Sequence, residues 1–181
     1  MIDAAWQSFT HALFHLAANP QYIQPLREEV ETIIKKEGWS KAALGKMRKV
    51  DSFLKECQRL EGISSGTSLG IHSIHQPIWL FNPLASLMRK SLKDFTFSDG
   101  TFVPKGTTIM VAARSISRDD VFYENAHAFE PFRFADLREL EGETMKHQLA
   151  SIANGYSPFG HGRHVWYGLS FSRFTMTMNS R

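Results

Sequence analysis

The sequence predicts a mixed fold of the α+β type, mainly helical, organised as one structural unit. Two observations carry this: apolar residues recur at helical spacing through the first 62 positions, and short alternating segments around an Asp-Gly pair take over after residue 93. A third sets the scale. With 181 residues, 43% of them hydrophobic and 22% charged, the chain is long enough to bury roughly 70% of its unfolded surface around one core.

Between Ala4 and Ala18 the residues Phe9, Leu13, Leu16 and Ala17 form one helical stripe. Asn19-Pro20 then stops that helix and opens the next, with proline at a first-turn position where its missing N–H is not needed. In the second helix Ile23, Leu26, Val30, Ile33 and Ile34 share a face, while Arg27, Glu28, Glu31, Lys35 and Lys36 look to water and Gly38 ends the run. Ser40 is the N-cap of a short third helix through Met47. Asp51 reads as the cap of a fourth helix that buries Phe53, Leu54, Cys57 and Leu60 and stops at Gly62.

Residues 64–83 hold no sustained period and are rich in Ser, Gly and Pro, which marks a loop. Further on, Phe95 and Phe97 alternate with Thr96 and Ser98, Asp99-Gly100 is a hairpin turn, and a second strand runs from Thr107 to Ala112. From Asp119 onward the pattern is irregular and rich in aromatic residues.

Composition excludes several classes of function. The 21 Lys+Arg and 18 Asp+Glu are interleaved and leave a net charge of only +3, so no nucleic-acid face is expected. A lone cysteine, Cys57, excludes an internal disulfide. The apolar patch from Ile78 to Met88 is broken by Asn82 and Pro83 and falls short of the roughly 18 residues that span a bilayer. The opening residues carry Asp3 and no basic run, so no signal peptide is expected. His11 and His15 lie four apart on a helix, yet no acidic base lies between them and no third ligand is evident, which favours ordinary helix histidines over zinc. Gly160-His161-Gly162 lacks the strand, turn and following Lys-Ser/Thr of a phosphate loop.

Four features in order are more specific than any one of them. Glu56-Cys57-Gln58-Arg59 reads E-x-x-R; Arg89 precedes Asp94 and a Phe102-Val103-Pro104-Lys105-Gly106-Thr107 turn; Pro131-Phe132-Arg133-Phe134 reads P-x-R-F; Phe159-Gly160-His161-Gly162-Arg163-His164 opens a glycine loop. In this order they resemble the C-terminal part of the haem-thiolate monooxygenases, the cytochromes P450, and their wording is most similar to fungal members. The resemblance runs to Val165 and covers well under half of a full family member.

The resemblance implies a late central helix, three following helices, a small β-sheet, a meander and a haem-loop region. It implies haem as cofactor, a small apolar organic substrate that receives one oxygen atom from O₂, a reductase as electron donor, and intact relatives anchored to the endoplasmic reticulum membrane. By the same resemblance Glu56, Arg59 and Arg133 form a buried charge network, since a buried carboxylate needs cationic partners. Arg89 and His164 are implied to meet the haem propionates, and Phe159 to pack beside the axial sulfur. Gly160, Gly162 and Gly168 are implied to let the loop approach the macrocycle, with Arg163 among them.

The pattern departs at its centre. Trp166 stands where the iron-binding cysteine belongs, and an indole offers only an N–H donor. Cys57, on the E-x-x-R helix, reads as a small buried hydrophobe and no substitute. Tyr167 as a phenolate ligand needs a register shift and Arg163 beside it. Residues Met1 to Gln7 show no acid-plus-threonine pair of the oxygen-activating kind, residues 64–83 read as an insertion, and 166–181 read as a tail outside the family. The expectation is therefore one partial domain over 1–181, a truncated or misassembled product in which metal is not held, haem binding is weak and monooxygenase activity is lost. Two alternatives stand beside it. One is a non-catalytic interaction protein that self-associates through the apolar stripe of residues 9–17. The other is a haem or metal binder ligated by His161 or His164.

Overall fold

The computed structural model describes residues 2–62, 87–144, 146–153, 155, 156 and 158. Helix α1 (Ile2–Ala18) is turned differently from its expected stripe: Ala12 is buried and Leu16 packs on the core, whereas Leu13 and Phe14 are 49% and 66% exposed. The small Ala12 side chain allows the close approach to the helix α1 packs against, α4 (Arg48–Glu61), and that approach decides which face turns inward. Asn19 does not cap a second helix. Its Nδ2 donates back to the His15 carbonyl at 3.0 Å, and a 3-10 turn, Pro20–Tyr22, leads into α2 (Ile23–Glu37).

Helix α2 ends at Gly38, whose φ of 65° lies in the left-handed region that glycine tolerates best. Of its expected stripe Leu26 is buried, Val30, Ile33 and Ile34 pack half-buried on the core, and Ile23 stays exposed. Ser40 caps α3 (Lys41–Lys46) as expected, its Oγ accepting from Ala43 N at 3.0 Å.

Helix α4 starts a turn earlier than Asp51 suggests. Its first free amides are served from another helix: Glu29 of α2 accepts from Lys49 N at 2.9 Å and Val50 N at 3.0 Å, a carboxylate at the positive end of the helix dipole. With the cap supplied from α2, Asp51 lies inside the helix and is buried, accepting from Arg138 Nη1 and Leu149 N, both at 2.9 Å. Every residue from Val50 to Leu60 is buried, so α4 is the central element. Val50, Phe53, Leu54 and Cys57 join Ala12, Leu26, Leu44, Met47 and Leu149 in the main core.

The strands form two small antiparallel pairs. β2 (Phe95–Thr96) and β3 (Phe102–Val103) pair across the expected Asp99-Gly100 turn, with Gly100 at φ 90° and Asp99 Oδ1 accepting from Thr101 N at 2.9 Å, and β3 is a strand where the sequence reads as a turn. β4 (Thr108–Val111) is the expected second strand, but its partner is an unexpected one, β1 (Leu87–Lys90), with Arg89 opposite Ile109. A short helix, α5 (Ala113–Ser117), follows β4, and another, α6 (Arg133–Leu137), punctuates the stretch from Asp119 that reads as irregular in sequence. No described helix is long and apolar enough to cross a membrane. The expected insertion and the expected tail (64–83 and 166–181) lie outside the described residues.

Candidate functional site

Glu56 and Arg59 stand one turn apart on α4, and neither side chain reaches solvent. Arg59 Nε donates to Glu56 Oε2 at 2.8 Å and Nη2 to Oε1 at 2.7 Å, a two-pronged pair that only a planar guanidinium can make. The remaining N–H groups point away from the carboxylate. Nη1 donates to the Ser117 and Ala126 carbonyls at 2.5 and 2.7 Å, and Nη2 to the Ala128 carbonyl at 3.1 Å. Ser117 ends a helix, where its carbonyl has no following turn to accept from, and Ala126 and Ala128 lie outside strands and helices, so a buried cation is what satisfies all three. Tyr123 lies against the guanidinium, 4.9 Å from its ring centre, and burial pushes its phenol up to about 12.

Arg133 opens α6 and completes the cluster. Its Nε stands 3.4 Å from Glu56 Oε1 and its Nη2 3.1 Å from Glu130 Oε2, while Glu130 N donates to Glu56 Oε1 at 3.1 Å. It also donates to the carbonyls of Glu124 and Asn125, the latter held at a φ of 50°. The structure thus brings Glu56, Arg59 and Arg133 together, with Glu56 as the shared acceptor.

The rest of the polar face of α4 escapes sequence reasoning. Ser52 Oγ accepts from Phe134 N and Ala135 N, both at 3.0 Å, capping α6 from outside. Lys55 is 1% exposed; its Nζ donates to the Gln148 carbonyl at 2.9 Å and Ser151 Oγ at 3.2 Å, and lies 4.7 and 4.3 Å from the ring centres of Phe134 and Tyr156. Loss of water lowers its pKa to about 7, with Asp51 pulling the other way and Arg138 adding to the fall. Gln58 accepts from Tyr156 Oη at 2.9 Å and donates to Ser8 Oγ at 3.3 Å. A run of Asp, Ser, Lys, Glu, Gln and Arg on a helix ordinarily marks a wet face, so only the E-x-x-R wording hints at burial.

Arg89 lies on β1, exposed and opposite Ile109 of β4. Phe159, Gly160, Gly162, Arg163, His164, Trp166 and Gly168 fall outside the described residues, as do His161 and Tyr167. His15 stacks on Phe129 with ring centres 4.2 Å apart and approaches Glu61 at 3.5 Å, so it joins α1 to the end of α4. Among the described residues no three His, Cys, Asp or Glu side chains are grouped to hold a metal.

The cytochrome P450 family model matches residues 7–76 and 80–179, nearly the whole chain. The chain belongs to the cytochrome P450 family. The matched ranges take in residues 64–76 and 166–179 as well. Cytochrome P450 monooxygenase 151 of Postia placenta is 48% identical over 165 residues, 91% of this chain and 29% of the relative. Cytochrome P450 monooxygenase 71 of the same fungus is 46% identical over 171 residues, 94% of this chain and 30% of the relative. Cytochrome P450 monooxygenase CYP512U6 of Ganoderma lucidum is 38% identical over 169 residues, 93% of this chain and 30% of the relative. The chain therefore spans about 29–30% of the length of these P450 relatives.

P450 membership implies haem, and the described residues meet that implication unevenly. Arg89 presents an exposed cation of the kind that suits a propionate carboxylate. Cys57 does not fit an axial ligand. It is 1% exposed in α4, and burial, with Glu56 and Glu61 nearby, pushes its thiol well above the usual range, so it holds no thiolate.

Proposed function

We propose that this chain is the scaffold section of a cytochrome P450 monooxygenase that supports the haem loop, and that it does not itself supply the thiolate on which oxygen activation depends. By family, the whole protein acts on a small apolar organic molecule, with haem as cofactor and a reductase as electron source. The observation that carries this proposal is chemical. The single cysteine among 181 residues is Cys57, buried and held as a neutral thiol beside Glu56, while Trp166 follows Phe159-Gly160-His161-Gly162-Arg163-His164-Val165. An indole N–H has no lone pair to give an iron. What the chain does supply is support: the Glu56, Arg59 and Arg133 cluster fixes the backbone of residues 117–133 by accepting and donating at atoms that no strand or helix satisfies.

The test is the reduced, carbon-monoxide difference spectrum of the purified chain after titration with haem. The expected result is no band, or a band of the nitrogen- or oxygen-ligated type. A red-shifted thiolate-type Soret band would overturn the proposal and return oxygen activation to this chain.

A further inference from the structure

The polar face of α4 does more than hold the Glu56 cluster. Lys55 and Gln58 lie one helical turn apart and reach the same residue from two sides. Gln58 Oε1 accepts from the Tyr156 hydroxyl at 2.9 Å, and Lys55 Nζ sits 4.3 Å from the centre of the Tyr156 ring. Tyr156 is 2% exposed. The backbone before it is tied to the same helix: Gln148 O accepts from Lys55, Leu149 N donates to Asp51, and Ala153 and Tyr156 exchange backbone hydrogen bonds at 3.0 and 3.1 Å. On its far side Gln58 continues to Ser8 of α1, so one buried chain of hydrogen bonds runs from α1 through α4 to Tyr156. Nothing in the Glu56 cluster requires any of this.

We propose that Lys55, Gln58 and Tyr156 form a positioning device that fixes, relative to α4 and α1, the point from which the chain enters its glycine-rich haem loop three residues later. The functional meaning of the device rests on the P450 scaffold role proposed for this chain; its mechanical part does not. Tyr156 acts as a pin because its ring and its hydroxyl are held independently, so that neither rotation about the ring axis nor lifting off α4 is free. Charged and titratable groups that face Lys55 are Asp51 on its own helix, Arg138 after α6 and the Tyr156 phenol, with His147 stacked on the Phe134 ring that Lys55 touches.

The experiment uses the full chain and two conservative variants, Tyr156→Phe and Gln58→Met, with amide hydrogen exchange and haem uptake as separate readouts. Tyr156→Phe keeps the ring over Lys55 and removes only the hydroxyl. Exchange of residues 148–156 should quicken about five- to tenfold in either variant, the scale of one buried hydrogen bond, with α2 and α3 unchanged. Unchanged exchange at 148–156 in both variants would overturn the device. In the second readout added haem is titrated into each protein. Wild type should take up haem with a sharper Soret change than the variants. Uptake by wild type and variants with the same band position and midpoint would refute the link to the cofactor loop while leaving the scaffold role intact. If no protein takes up haem and the exchange still differs, the pin stands and its link to the cofactor loop is refuted, whereas the scaffold role is overturned by a thiolate-type band and by nothing else in this experiment.

Discussion

Replacing Arg59 by Met keeps side-chain length and removes the central cation of the α4 network. Glu56 is then left with Arg133 Nε at 3.4 Å and the Glu130 amide at 3.1 Å. The carbonyls of Ser117, Ala126 and Ala128 lose their donor in the same step. Removing one side of a buried ion pair costs about 3–5 kcal/mol, and an orphaned buried carbonyl adds about 1–3 kcal/mol. The combined loss approaches the entire stability of an ordinary domain, about 5–15 kcal/mol. The expected outcome is that Arg59→Met shows no cooperative urea transition by far-UV circular dichroism. Arg133→Met should be milder. Its side chain is 8% exposed, and Glu56 keeps both short bonds to Arg59, so a loss of about 1–3 kcal/mol is expected. For a chain of this size that lowers Tm by roughly 2–4 °C per kcal/mol. An Arg59→Met protein within about 1 kcal/mol of wild type, or an Arg133→Met protein that is the more damaged of the two, refutes the claim that this cluster holds residues 117–133 in place.

Single contacts give further expectations. Lys55 titrates at about 7 in the fold against its ordinary 10.5, so between those values the unfolded chain holds the extra proton and stability rises with pH, by up to ~1.4 kcal/mol per unit. Below about 7 both states are protonated and that slope vanishes; Lys55→Met should remove the rise in urea midpoints measured from neutral to alkaline pH, and an identical slope in both proteins speaks against it. Ser52→Ala strips α6 of its acceptor for Phe134 N and Ala135 N and should cost about 1 kcal/mol, seen as a lower Tm, with no shift counting against the external cap. Gly155 has φ +84° and a Cβ there would meet the Phe122 ring at 3.0 Å, so Gly155→Ala should destabilise by more than about 1 kcal/mol; a neutral effect in thermal melts contradicts that. Cys57 should resist thiol reagents until urea unfolds the chain, and rapid labelling of native protein would show that its thiol is not sealed in the core.

Much of the helical half is legible in the sequence because local signals decide it. Ser40 caps as a lone serine before a short helix should, and Gly38 and Gly62 end helices where the periodicity stops. The misreadings come from distant partners. Asp51 looks like a cap because nothing nearby shows that the amide of Lys49 is already served by Glu29, 20 residues before Lys49. Leu13 looks inward because a stripe of larger side chains outweighs Ala12, whereas contact with α4 favours the smaller residue. β1 carries no alternation of its own and exists because β4 supplies its partner. The candidate site divides in the same way. The trio Glu56, Arg59 and Arg133 is readable only through the resemblance, since spacing alone suggests a surface pair. Ser52, Lys55 and Gln58 are not readable at all, because their partners lie 50 to 98 residues away.

Those separations have a consequence for how the chain assembles in time. Bonds that join Asp51 to Leu149, Lys55 to Gln148 and Gln58 to Tyr156 close loops of 98, 93 and 98 residues, and none can form until synthesis has passed residue 148. The contacts of α4 with α2, by contrast, span about twenty residues. Loop-closure entropy therefore places the helical half early and the docking of residues 113–156 late. During that interval the polar face of α4 is hydrated, and its charges surrender their water only when the later backbone arrives to replace it. We predict that substitutions at Lys55, Gln58 and Tyr156 chiefly speed unfolding, whereas changes at Leu26, Phe53 and Glu29 slow folding, a division that stopped-flow chevrons would reveal.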